Sequence, residues 1–159
     1  MKTKLFPWLP CLAAVTLSAS NLLAQPVAGD LPQVVQFELG KSSFAPGDRI
    51  TIQQVRGTSG SIKTGETYSV DGTYELASRD EADLALYITT EGASGGTPVD
   101  PRQHIAVKQG SGSFHLVTTM SQDGYLHVSF YPAKSGSVFG GVYFGQGNRV
   151  LRDGAQSSS

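Results

Sequence analysis

The chain has 159 residues, with 12 Lys and Arg against 13 Asp and Glu, one cysteine and one tryptophan. This length suits one domain of ordinary size rather than two. The charges are dispersed and form no basic stripe, so we expect no nucleic-acid partner.

Residues 1–24 have the pattern of a secretory signal peptide. Met1-Lys2-Thr3-Lys4 is short and basic, the run from Leu5 to Leu17 is apolar but too short to cross a bilayer, and small residues follow. We place the cleavage after Ala24, with Ala28 as the alternative. We therefore expect a secreted or periplasmic protein. No second apolar run is long enough for membrane insertion after cleavage.

The only cysteine, Cys11, and the only tryptophan, Trp8, both lie within this segment. Lipid attachment at Cys11 is disfavoured because Leu9-Pro10, rather than small residues, precede it. The mature chain is thus predicted to lack disulfides, thiol catalysis and thiolate metal sites. Without Lys2 and Lys4, ten Lys and Arg stand against 13 Asp and Glu, a net charge of −3.

After a linker at residues 25–32, apolar and polar residues alternate with the period of β-strands, and turn-forming clusters separate the runs. About eight or nine short antiparallel strands over residues 33–152 predict an all-β domain, a jelly-roll-like β-sandwich, with a small closed barrel as the alternative. The small, polar tail 153–159 is predicted to be disordered. The predicted strands cover 33–39, 49–55, 68–76, 84–88, 105–107, 114–120, 126–130, 138–144 and 149–151.

One hairpin is specified by its turn. The segment 121–124, Ser-Gln-Asp-Gly, predicts a three-residue loop with Gly124 in the left-handed conformation. That register pairs residues 116 with 130, 118 with 128 and 120 with 126, so that their apolar side chains share the core face. On the opposite face it places His115 beside Tyr131 and Thr119 beside His127.

This opposite face carries the candidate ligand-binding residues, which are tyrosines and histidines. Tyrosine rings stack on sugar rings and their hydroxyl groups form hydrogen bonds, so a row of tyrosines on a sheet predicts a carbohydrate platform. The alternative is purely structural, because tyrosines also pair across strands. The candidates are Tyr87, His115, Tyr125, His127 and Tyr131, and Tyr143 has the same parity or lies near a turn.

Metal chemistry is less well supported. In the predicted register His127 and His115 lie roughly 13 Å apart, too far to share one zinc ion, and His104 is on another segment. Asp80, Glu81 and Asp83 lack the full EF-hand spacing, so we expect no cofactor, with a structural calcium ion as the alternative.

Catalytic patterns are present only in part. Ser94 lies in a G-x-S-x-G match, Gly92 to Gly96, but no helix is predicted after it to strain the serine outward. Asp71 and Glu75 project from one face of one strand, roughly 13 Å apart, which exceeds the carboxylate separations that glycosidases use. We therefore expect no catalytic residue.

Two stretches resemble the galactose-binding-like jelly roll of carbohydrate-binding modules. They read GETYSVDGTYELASRDEADLALYIT and VKQGSGSFHLVTTMSQDGYLHVSFYP, and GGVYFG follows them. The likeness covers roughly half of the mature chain and rests on strand order. It implies this fold and a non-catalytic binding role, without assigning a ligand residue. The chain also resembles secreted bacterial domains of unknown function.

Three hypotheses follow for the function. The first is a secreted, non-catalytic module that binds a glycan or another surface ligand through the Tyr/His face. The second is a structural or protein-interaction domain of the cell envelope, with a surface protein as its partner and no small-molecule site. The third is a hydrolase with an unrecognised site.

Overall fold

The computed structural model describes residues 31–90 and 100–147, and most of these lie in β-strands. The predicted signal peptide, the Ser94 motif, the strand at 149–151 and the tail lie outside the described residues. A short 3₁₀ helix, Pro101–Gln103, is the only helical element in these ranges, and none there is long and apolar enough to cross a membrane. The strands are β1 (Gln33–Val34), β2 (Glu38–Ser43), β3 (Arg49–Gly57), β4 (Thr67–Thr89), β5 (His104–Thr119), β6 (Tyr125–Tyr131) and β7 (Gly140–Gly145).

The all-β prediction is confirmed, but the described residues form seven strands rather than eight or nine. The predicted strands at 68–76 and 84–88 are one continuous strand, β4, and those at 105–107 and 114–120 are likewise one strand, β5. All seven belong to one antiparallel sheet with the order β1-β3-β4-β6-β7-β2, and β5 pairs with β4. The predicted division into the two stacked sheets of a sandwich is not confirmed.

Strand β4 organises the sheet because it has 23 residues and several partners. Its first part, Tyr68–Glu75, pairs with β3, and its last part, Asp83–Thr89, pairs with β6. Strand β5 follows β4 through most of both parts. The predicted β5–β6 hairpin register is therefore wrong: Leu116 pairs with Val70, and Phe130 pairs with Leu84.

The turn before β6 also differs from its prediction. Gly124 does not have a positive φ. A Cβ at this position would collide with the carbonyl oxygen of Thr89, the residue that pairs with Tyr125. Glycine is needed here for the close approach of two backbones rather than for a left-handed turn.

A large bulge interrupts the β4–β5 pairing. Between the pairs Leu76–Gly110 and Glu81–Lys108, β4 has four residues where β5 has one. The carboxylate of Asp48, which is buried, accepts hydrogen bonds from the backbone N–H groups of Ala77 and Ser78 at 2.8 and 2.9 Å, and another from the Ser78 hydroxyl. Bulges bend a strand and increase its twist, so this clamp fixes the bend between the two parts of β4.

The core lies on the face that the alternation predicts. Tyr68, Phe114 and Phe130 are buried as expected, whereas Phe37 and Tyr74 are partly buried at its margin. Leu31, within the predicted linker, is also buried, and its carbonyl oxygen accepts a hydrogen bond from Arg56. The fully enclosed side chains include Tyr68, Val70, Leu84, Leu86, Leu116, Leu126, Val128, Phe130 and Phe144.

Candidate functional site

Five ring-bearing side chains lie together on the face of the sheet opposite the core. The register places Tyr87 directly opposite His127 and His127 directly opposite Tyr143, so that one row crosses β4, β6 and β7. Tyr125 and Tyr131 lie two and four residues from His127 on the same side of β6, because side chains alternate along a strand. We call these five residues, Tyr87, Tyr125, His127, Tyr131 and Tyr143, the aromatic face.

The rings of the aromatic face are in mutual contact. The ring centroids of His127 lie 5.8 Å from Tyr87 and 5.1 Å from Tyr143. Tyr131 meets Tyr87 edge to face at 5.5 Å, and Tyr125 meets Tyr143 in the same way at 5.7 Å. Edge-to-face aromatic pairs are each worth about 0.5–1.5 kcal/mol beyond the area that they bury, so the cluster holds its own rings in place.

His127 is the centre of the aromatic face and is buried, contrary to the expectation that it would share an exposed binding surface. Its Nδ1 atom is hydrogen-bonded to the Thr89 hydroxyl at 2.8 Å, and its Nε2 atom lies 3.4 Å from the Tyr131 hydroxyl. Burial lowers the pKa of His127 to about 4 because the charged imidazolium would lose its hydration. The ring is therefore neutral at physiological pH and supports the tyrosines around it.

The surrounding tyrosines are half-buried, and burial keeps two of them, Tyr87 and Tyr131, protonated. Burial raises the pKa of Tyr131 to about 12, and the neighbouring Tyr87 and Tyr143 add to this effect. Burial also raises the pKa of Tyr87, with a further contribution from the charge of Asp83. The aromatic face is thus an uncharged surface of rings and hydroxyl groups, which can stack on a ligand and form hydrogen bonds with it.

His115 does not belong to the aromatic face, and its predicted place beside Tyr131 is wrong. The error has a simple cause: β5 pairs with β4 rather than with β6, so His115 lies opposite Asp71 in the part of β4 that also pairs with β3. Its Nδ1 atom lies 2.7 Å from an Asp71 carboxylate oxygen, and both side chains are exposed.

Two open hollows flank β6 on the same side of the sheet as the aromatic face. One, of about 280 Å³, is lined by residues of β4, β5 and β6 and of the loop after β6. Among them are Asp83, His104 and Tyr131. The other, of about 300 Å³, is lined by residues of β2, β6 and β7, among them Ser129 and Tyr143. The aromatic face therefore borders recessed surface on both sides of β6.

The other polar candidates from the sequence are the acidic residues around Glu81 and the serine of the G-x-S-x-G match. Within residues 31–90 and 100–147, no three His, Cys, Asp or Glu side chains lie close enough to hold a metal ion. Glu81 pairs with Lys108 at 2.9 Å across the β4–β5 ladder, rather than with Asp80 and Asp83 around a cation. Ser94 cannot be placed because it lies outside the described residues.

The structure adds two features that sequence reasoning did not assign to the site. Tyr143 joins the row because β7 pairs with β6, a pairing that the alternation of Val142 and Phe144 suggests but does not specify. Asp83, considered from sequence only with Asp80 and Glu81 as a calcium candidate, faces the same side as Tyr87 and Tyr131 and pairs in register with Tyr131.

Comparison of the chain with protein-family models, curated proteins and solved structures finds no match. The resemblance to carbohydrate-binding modules therefore stays a prediction.

Proposed function

We propose that this chain is an exported, non-catalytic module that binds a glycan through the aromatic face. The observation that carries the proposal is the gathering of four half-buried tyrosines on the non-core side of one sheet, next to two open hollows. Tyrosine offers a ring face for stacking on the C–H groups of a sugar and a hydroxyl for its polar edge.

The packing of the aromatic face supports binding because its rings are ordered before a ligand arrives. The ring centroids of Tyr87 and Tyr131 lie 5.5 Å apart, and those of Tyr125 and Tyr143 lie 5.7 Å apart. A binding surface that is already ordered avoids the entropy loss of about 0.5–1.5 kcal/mol that each immobilised, rotamer-rich side chain would otherwise cost.

The protonation states also favour binding over acid–base catalysis at this site. His127 has a pKa lowered to about 4 and is shielded by the tyrosine rings, so at neutral pH it is not a cationic general acid and is only a weak general base. Tyr131, with its pKa raised to about 12, remains a hydrogen-bond donor. Neutral donors and rings match the hydroxyl-rich, uncharged surface of most sugars.

A glycan array followed by calorimetric titration of the best ligand tests the proposal. Tyr131→Ala and Tyr143→Ala should each weaken binding about five- to tenfold, because each removes an aromatic contact worth roughly 1–1.4 kcal/mol. His115→Ala is the matched control. It is an exposed aromatic-type side chain on the same sheet, outside the aromatic face, and should leave the affinity unchanged.

Two results would contradict the proposal. Failure of the folded protein to bind any arrayed glycan would remove the ligand class and leave the structural or protein-interaction role as the better explanation. Turnover of chromogenic esters or glycosides that disappears in Ser94→Ala would show that the protein is a hydrolase.

A further inference from the structure

A row of small side chains crosses the sheet beside the aromatic face. In register from β2 to β4 it consists of Ser43, Gly141, Ser129 and Ala85, and His104 of β5 lies at its end. At Gly141 a Cβ would collide with the Ser129 side chain, so no larger residue fits in the middle of this floor. We call this row the cross-strand groove.

Larger side chains rise on both sides of the groove. One neighbouring row is Tyr87, His127 and Tyr143, two residues further along the same three strands. On the other side lie Tyr131 and Asp83, which pair with each other. The rings of Tyr87 and Tyr131 reach toward each other from the two sides and meet at 5.5 Å over the buried floor, so the groove is open at its two ends and covered in its middle.

The two hollows are the open ends of the groove, and the rings of Tyr87 and Tyr131 separate them. The hollow of about 300 Å³ contacts Ser43, Gly141 and Ser129, and that of about 280 Å³ contacts Ala85 and His104. From β2 to β5 there are four strand spacings, which amount to about 19 Å. Only an extended chain that passes over these two half-buried rings reaches from one hollow to the other.

The charged residues around the two hollows are few and of both signs. Asp83 and Lys134 line one hollow and Lys41 lines the other. Asp83 lines the first of these hollows, where its carboxylate can accept hydrogen bonds from sugar hydroxyl groups. A surface without a dominant sign of charge is better suited to a neutral chain than to a polyanion.

We infer, building on the proposed function, that the ligand is a neutral linear polysaccharide whose interior units lie across the strands and occupy both hollows. The protein then recognises the middle of a chain rather than its end. Affinity should depend on chain length until the oligosaccharide spans the groove, and should then level off.

Titration with neutral oligosaccharides of two to six units tests this inference. The cello-, xylo-, manno- and N-acetylated chito- series are the probes, with oligogalacturonate as the anionic comparison. In one of the neutral series we expect affinity to rise at least tenfold from the disaccharide to the longer chains and then to level off.

A variant that blocks one end provides the second measurement. Ser43→Phe places a ring in the β2-side hollow and should lower the affinity for the hexasaccharide toward that for the disaccharide, leaving the disaccharide affinity unchanged. Thr51→Phe, at an exposed strand position on β3, is the matched control and should change neither affinity.

The outcomes separate this inference from the proposed function. Binding that a mono- or disaccharide already saturates, or equal losses for short and long chains in Ser43→Phe, would overturn the extended-chain inference and leave glycan binding intact. Binding of oligogalacturonate alone would overturn the neutral class. Absence of binding to every glycan, by contrast, would overturn the proposed function and this inference together.

Discussion

Protonation of His127 should determine how the stability of this protein depends on pH between about 4 and 6.5. The folded protein holds this imidazole neutral with a pKa of about 4, whereas the unfolded chain has the ordinary value of 6.5. Below pH 6.5 the unfolded state therefore binds a proton that the folded state does not bind. The contribution of the neutral imidazole to stability is fully present above pH 6.5 and is lost as the pH falls toward 4.

The size of the effect follows from the shift of the pKa. The pKa of His127 is about 2.5 units lower in the folded protein than in the unfolded chain, and each unit corresponds to roughly 1.4 kcal/mol. At pH 4, where the folded group is half protonated, the free energy of unfolding is therefore lower by about 3 kcal/mol. This is a large fraction of the 5–15 kcal/mol that is typical of a whole domain. Asp48 acts in a different window: despite its burial, hydrogen bonds from Ser78 and Ala77 and the charge of Arg79 lower its pKa, so its contribution disappears only below about pH 4.

Urea unfolding at a series of pH values measures this dependence. The free energy of unfolding of the natural protein should fall by about 3 kcal/mol between pH 7 and pH 4. In His127→Phe, which keeps a ring among the tyrosines but cannot take up a proton, most of that fall should vanish. His115→Phe, at an exposed site, is the control and should keep the slope. An unchanged slope in His127→Phe would refute the assignment of the effect to the buried imidazole.

Two further predictions concern the sheet that carries the site. Asp48→Ala leaves the backbone N–H groups of Ala77 and Ser78 without the carboxylate that accepts their hydrogen bonds. We therefore expect the free energy of unfolding, measured in urea, to fall by about 2–3 kcal/mol and amide exchange at both residues to become faster. Unchanged exchange at these residues would contradict the role of Asp48. Gly72→Ala forces a Cβ against the carbonyl oxygen of the facing strand and should lower the free energy of unfolding by about 1–3 kcal/mol. Gly60→Ala, with open space around it, is the control and should leave the stability nearly unchanged. Equal stability of the two variants would contradict the close approach at Gly72.

The sequence was enough to predict which residues face the core and which do not. Alternation is a local property, and burial of one face enforces it, so Tyr68, Leu116 and Phe130 lie where the pattern predicts. The same parity correctly assigned Tyr87 and Tyr131 to the opposite face. What alternation does not specify is the neighbour of each strand, because every strand with an apolar face satisfies the same rule.

The errors follow from that limit. The turn before Tyr125 suggested that consecutive strands pair, and His115 was therefore placed beside Tyr131. In the structure, β5 and β6 both pair with β4. This is possible because β4 continues through residues 77–80, where the alternation of apolar residues is interrupted. Exposed residues at these positions are typical of a loop. The strand register and the long-range hydrogen bonds that the N–H groups of Ala77 and Ser78 donate to Asp48 show that they form a bulge within a strand.

The same bulge explains why the site exists where it does. The four-residue bulge and its Asp48 clamp divide β4 into one part that pairs with β3 and another that pairs with β6. Only the second part brings Tyr87 beside His127 and, through β7, Tyr143. The aromatic face is thus a consequence of the bend, although the residues that fix the bend lie outside it.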